Sequence, residues 1–171
     1  VTGVQTCALP ISKKFIDDYK EVKNFNIYGL THFAYGYIFD NYKGDIDYDP
    51  KRVNVVTLDI EVGGEDIVGF PNINTADQPI TAITIHLRGK TASFGVKDFK
   101  PKSENSYYMK CKSEVDLIEK FMKVWESENW SPDILTGWNV EFFDIPYLIN
   151  RMKRLFGDKY QNRLSPWGRV Y

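Results

Sequence analysis

Three carboxylates stand where they could do chemistry together. Asp59 and Glu61 lie two residues apart inside VNVVTLDIEVGG, residues 53–64. Successive strand side chains alternate faces, so Val56, Leu58, Ile60 and Val62 point one way while Asp59 and Glu61 point together the other way. The third, Asp144, lies in TGWNVEFFDIPYL, residues 136–148, where a helix begins with Pro146 in its first turn. If the strand ahead of Asp144 pairs beside the first strand, as a right-handed crossover permits, the three carboxylates converge. Like charges so gathered repel unless a cation sits among them, and hard divalent ions such as Mg²⁺ or Mn²⁺ prefer oxygen ligands. Two such ions about 3.5–4 Å apart clamp the attacking and leaving oxygens of a phosphodiester in an in-line displacement. Each residue also has a plainer reading. An acid-x-acid pair is a common pattern for a solvated strand face, and Asp144 could cap a helix. Asn139 could be a turn residue after a strand, and Phe143 could belong to the core.

The elements that must position these residues can be read from periodicity. A strand is predicted over 53–62, followed by a loop over 63–79 that contains Gly, Asp and Pro. ITAITIHLRG, 80–89, alternates as a second strand, and TASFGV, 91–96, returns as its hairpin partner through Arg88-Gly89-Lys90. After a polar loop, Ser113 and Asp116 form a capping-box-like helix start. Leu117, Ile118, Phe121, Met122 and Trp125 then recur at helical spacing. Pro132 ends that region, and DILTGWN, 133–139, reads as a short apolar strand. In the second helix Ile145, Leu148, Ile149, Met152, Leu155 and Phe156 form one stripe, capped by Gly157. Upstream, THFAYGYIFDNYKGDIDYDP suggests short strands or turns, with Lys43-Gly44-Asp45 and Asp49-Pro50 as turn signals. Strand, strand, strand, helix, strand, helix is an α/β order with a mixed sheet.

Composition narrows the classes. With 43% hydrophobic and 26% charged residues the chain fits a globular protein rather than a disordered one. A net charge of −1 predicts no general affinity for nucleic acid through charge alone. No apolar run approaches the roughly 20 residues of a membrane helix. VTGVQTCALPI, residues 1–11, carries no charge and reads as the translation of a sequencing adapter, with genuine sequence expected to begin near Ser12. On that reading Cys7 drops out, and Cys111 alone cannot form an internal disulfide. The run RMKRLFGDKYQNR, 151–163, holds five basic residues against one Asp. It could grip a nucleic-acid backbone or be the solvated face of an amphipathic helix.

DIE on a first strand, followed after a helix by GWNVEFFD, resembles the first two exonuclease motifs of family B DNA polymerases. The run TGWNVEFFDIPYLINRMKRLFG…RLSPWGRV is particularly similar to the replicative polymerases of T-even-type tailed phages, and the resemblance covers residues 12–171. It implies an RNase H-like (DEDD exonuclease) α/β fold, a mixed sheet with flanking helices, truncated at its C-terminal side. Residues 12–51 would end the polymerase's N-terminal domain, and residues 52–171 would be part of a 3′-to-5′ proofreading exonuclease domain. The carry-over makes Asp59, Glu61 and Asp144 catalytic ligands of two Mg²⁺ (or Mn²⁺) ions. It makes Asn139 and Phe143 contacts to the single-stranded primer 3′ end of primer–template DNA. A sliding clamp as partner of the full-length protein, no membrane, and the cytoplasm of a phage-infected bacterium follow from the same resemblance. The family's third exonuclease motif, a Tyr followed four positions later by a metal-binding Asp, would lie beyond Tyr171, as would the palm motifs. The chain is therefore expected to be an internal fragment, inactive or nearly so by itself. Two other readings are a stand-alone RNase H-like nuclease acting on RNA or DNA, and a non-catalytic nucleic-acid-binding domain of the same fold. The second has to explain why such costly carboxylates were kept.

Overall fold

The computed structural model of the chain describes residues 14, 16–19, 21–24, 33–45, 47, 49–63 and 69–170. Residues 1–11, including Cys7, lie outside the described residues. Two compact units divide the chain, Val1–Tyr48 and Asp49–Tyr171.

In the first unit, α1 spans Phe33–Asn41, where short strands or turns were expected. Its many aromatic residues and a central glycine read as strand and turn, but local bonds finish a helix instead. Asn41 Nδ2 donates to the Tyr37 carbonyl at 2.8 Å and Lys43 Nζ to the Phe39 carbonyl at 3.1 Å. The second of these satisfies one of the carbonyls that a helix end leaves without partners. The turn signals hold: Gly44 has φ +98°, and the Asp49 side chain accepts the Lys51 N–H ahead of a 3₁₀ turn, Pro50–Arg52.

The second unit is built on a five-stranded mixed sheet in the order β4-β3-β2-β1-β5. β1 spans Val55–Val62, β2 Ile80–Leu87, β3 Lys90–Gly95, β4 Ser106–Lys110 and β5 Ile134–Thr136. β1, β2 and β3 pair antiparallel in sequence, while β4 runs parallel to β3 and β5 parallel to β1. Val56, Leu58 and Ile60 are buried, and Thr57, Asp59 and Glu61 are exposed, the alternation the sequence predicts. The β2–β3 turn needs positive φ at two adjacent residues, +50° at Arg88 and +76° at Gly89, as a two-residue hairpin of this hand requires.

β4 falls inside the stretch expected to be a polar loop. Its burial shows no clean alternation because it is an edge strand, and its fit depends on Gly95, where an added Cβ would lie 2.5 Å from Tyr108 Oη. α2, Glu114–Trp125, buries the five predicted residues, Leu117, Ile118, Phe121, Met122 and Trp125, against the sheet. Ser113 caps it, and the Asp116 carboxylate reaches back to the Lys112 N–H at 2.7 Å.

α3, Asp144–Phe156, is rotated relative to its predicted stripe. Leu148 and Met152 are fully buried, but so is Tyr147, and Arg151 is buried beside them, while Ile145, Ile149, Leu155 and Phe156 are only half-buried. Polar bonds to the 69–79 loop pull that face inward. Among the described residues, no helix is long and apolar enough to cross a membrane.

Candidate active site

β5 covers only the first part of β1, pairing Val55 with Ile134 through Thr57 with Thr136. It is shorter than the expected 133–139 because the chain turns off at Gly137. A Cβ at Gly137 would lie 2.5 Å from the Leu58 carbonyl oxygen, so glycine alone lets the backbone cross β1 so closely. Asn139 then takes a left-handed conformation, φ +59°, which Asn tolerates better than most residues. Its carbonyl accepts the N–H groups of Phe142 and Phe143 at 3.0 and 2.9 Å, and the Val140 carbonyl accepts that of Ile145 at 3.0 Å. This tight turn swings Asp144 back onto β1, where its Oδ1 accepts the Ile60 N–H at 3.0 Å. The carboxylate thus takes the bond that a longer β5 would have made. Asp144 is the first helical residue and not the cap; the cap position belongs to Phe143, which makes no side-chain cap bond.

Asp144 is only 3% exposed. Burial pushes its carboxyl above the usual aspartate range; the Ile60 N–H partly offsets this, and the negative charge of Asp59 adds to the rise. Asp59 and Glu61 are exposed on the uncovered face of the sheet. Among the described residues, none of the three has an ion-pair partner. In kind, these donors fit a hard divalent cation: all are oxygens, and two of them already repel each other. They do not close round one point, since no three His, Cys, Asp or Glu among the described residues are grouped so as to hold a metal ion. Rotation of the exposed Asp59 and Glu61 side chains is what a bound ion would require.

Around this carboxylate lies an aromatic surface. Phe143 is half-buried between Phe70, with ring centroids 5.1 Å apart, and Tyr147, at 5.5 Å. Phe70 is 79% exposed, Trp138 93% and Phe142 70%. Sequence reasoning singled out Phe143 and exposed Asn139 but missed these three. The available signal was an aromatic in a turn, Gly69-Phe70-Pro71, and an aromatic on either side of the Asn139 turn. A groove of about 860 Å³ runs over the uncovered face, lined among others by Glu61, Thr84, Ser93, Lys97 and Tyr108.

The basic run at 151–163 is largely occupied within the fold. Arg151 pairs bidentately with Glu114 at 2.7 Å and donates to the Ala76 and Asp77 carbonyls at 2.9 and 3.0 Å. Arg154 reaches the Thr75 carbonyl at 3.3 Å, and Arg163 pairs with Glu126 at 2.5 Å. Lys153 and Lys159 are exposed. Arg151 alone of the five is buried; Arg154 and Arg163 each hold a partner in the fold while staying exposed, as Lys153 and Lys159 do.

Comparisons with known proteins give the family. The family model described as DNA polymerase family B, exonuclease domain, matches residues 13–170. The DNA-directed DNA polymerase of Escherichia phage RB69 is 33% identical over 165 residues, covering 81% of this chain and 18% of that protein. The corresponding polymerase of Enterobacteria phage T4 is 32% identical over 169 residues, 83% of this chain and 18% of that protein. The DNA polymerase catalytic subunit of Alcelaphine herpesvirus 1 is 28% identical over 143 residues, 75% of this chain and 13% of that protein. The chain thus spans less than a fifth of the length of these relatives.

Proposed function

Because the chain belongs to the exonuclease domain of family B DNA polymerases, we propose that it carries part of a metal-dependent 3′-to-5′ proofreading site of a phage replicative polymerase. The observation that supports this best is the bond from the Ile60 N–H to Asp144 Oδ1. It brings a buried carboxylate to the one residue between Asp59 and Glu61.

Asp59, Glu61 and Asp144 would hold two divalent ions, Mg²⁺ or Mn²⁺. When bound, such ions lower the pKa of a water at neutral pH and stabilise a departing 3′ oxygen. The remaining work falls to the chain itself. The Ile60 N–H fixes the orientation of Asp144, so the carboxylate loses little freedom on engaging a ligand. Phe143, with Phe70 against it, offers ring faces on which a frayed terminal base stacks, worth about 1–3 kcal/mol whatever the base. That tolerance suits proofreading, since any terminal nucleotide can be the wrong one. Asn139, exposed at the turn, adds a hydrogen-bonding group beside the same strand end. The substrate is then the single-stranded primer end of primer–template DNA. A sliding clamp and the cytoplasm of an infected bacterium are the partner and place that accompany this reading for the whole protein. A non-catalytic role is disfavoured by the three retained carboxylates, two of which repel each other at a cost the fold does not need.

The test is to read the gene onward from Tyr171 and assay the complete protein. A Tyr-x-x-x-Asp motif followed by palm motifs is expected, and Asp59→Ala should abolish metal-dependent degradation of a mismatched primer. Wild-type degradation by Asp59→Ala would refute the assignment.

A further inference from the structure

α3 touches the sheet's carboxylate strand at more than one point. Asp144 holds the edge of β1 directly. One turn on, the fully buried Tyr147 holds the same C-terminal end of the strand through the loop. Its Oη donates to the Gln78 carbonyl at 2.8 Å and accepts the Gln78 N–H at 3.1 Å. The next residue, Pro79, accepts the Gly63 N–H at 2.9 Å, and Thr81 Oγ1 donates to the Glu61 carbonyl at 3.2 Å. Between these two bonds the β1–β2 register shifts, at Glu61/Val62. An irregularity of this kind re-aims the side chain next to it. The segment 78–81 therefore sets the direction of Glu61, and Tyr147 is the group on α3 that fixes where that segment begins.

We propose that Tyr147 is a positioning residue that sets Glu61 relative to Asp144, and through its ring contact steadies Phe143. This rests on the reading of Asp59, Glu61 and Asp144 as metal ligands. Replacing its hydroxyl with hydrogen keeps the ring and its packing but leaves the two Gln78 groups unpaired. Arg151 still holds Ala76 and Asp77, so the loop loosens at its β2 end without coming away.

The experiment titrates the 171-residue chain with Mn²⁺ and follows the free-ion electron paramagnetic resonance signal. Wild type, Tyr147→Phe, Asp144→Asn and the core variant Ile118→Val are compared, each with a thermal melt. Tyr147→Phe should bind Mn²⁺ roughly 10-fold more weakly, the low end for partners that orient metal ligands. Ile118→Val should lower the melting temperature while keeping wild-type affinity, which separates positioning from general loss of stability. Wild-type affinity in Tyr147→Phe would overturn the positioning role while leaving the metal ligands standing. Wild-type binding no stronger than that of Asp144→Asn would overturn the metal-ligand reading and this role together.

Discussion

Glu114 and Asp144 occupy matching positions and have opposite surroundings. Each is the first residue of its helix, and each carboxylate accepts a strand N–H: Glu114 from Ile80 at 2.6 Å, Asp144 from Ile60 at 3.0 Å. Glu114 is met by the Arg151 guanidinium, with side chains 14% and 9% exposed. Asp144 is met instead by the negative charge of Asp59. A little-exposed carboxylate with its own cation is a fastener. One more deeply buried, without a cation among the described residues and beside a like charge, is a cost that structure alone does not explain, and such costs gather at functional sites.

The comparison breaks or sharpens under a graded set of substitutions. Glu114→Ala should cost about 3–5 kcal/mol in urea denaturation, because it leaves the buried Arg151 charge without a counter-charge, held only by the Ala76 and Asp77 carbonyls. Gly137→Ala should cost about 1–3 kcal/mol, since its Cβ meets the Leu58 carbonyl and not a flexible side chain. It should also weaken protection of the Ile60 amide in hydrogen exchange. Asp144→Asn should leave stability at neutral pH unchanged or raised, because the amide oxygen can still accept the Ile60 N–H while the burial and repulsion penalties vanish. The sign is set by linkage. A carboxyl raised in the fold holds its proton where the unfolded chain has released it. Its favourable contribution is present below the unfolded value of about 3.9 and is lost as pH rises through the raised folded value. Asp144→Asn should flatten that slope in a pH series of melts. Glu126→Gln marks the small end. The Arg163 hydrogen bond lowers the Glu126 carboxyl, so the pair's stability is present above about pH 4.3 and is lost as pH falls through the folded value. Both side chains are more than a third exposed, so about 0.2–1 kcal/mol is the expected effect.

Of this contrast the sequence showed the Asp144 side and not the Glu114–Arg151 pair, and what it hid has identifiable causes. Alternation in β1 and the stripe of α2 came from apolar periodicity, because both elements bury one face against a single core. β4 escaped because an exposed edge strand needs no alternation. α1 escaped because its ending depends on side-chain bonds from Asn41 and Lys43, which no period reveals. In the site, the residue types at 59, 61 and 144 pointed to oxygen-ligand chemistry. That Asp144 reaches β1 through a backbone N–H depends on Gly137 and Asn139, whose roles lie in backbone geometry. The polar face of α3 was hidden for a related reason: Tyr147 and Arg151 are buried by long-range bonds to backbone carbonyls, so they break the apolar stripe that periodicity seeks. For the same cause Arg151 departs from the solvated face, on which the other four basic residues of the 151–163 run stay exposed.

The most direct measurement is a crystal of the chain soaked in Mn²⁺, with anomalous difference density calculated around both helix starts. Density should appear against Asp144 and Asp59, with Glu61 turned toward it, and none at Glu114, whose charge Arg151 already meets. Absence of density at Asp144 and Asp59 at full soak, or density at Glu114 instead, would contradict the division between a fastened carboxylate and one kept for metal.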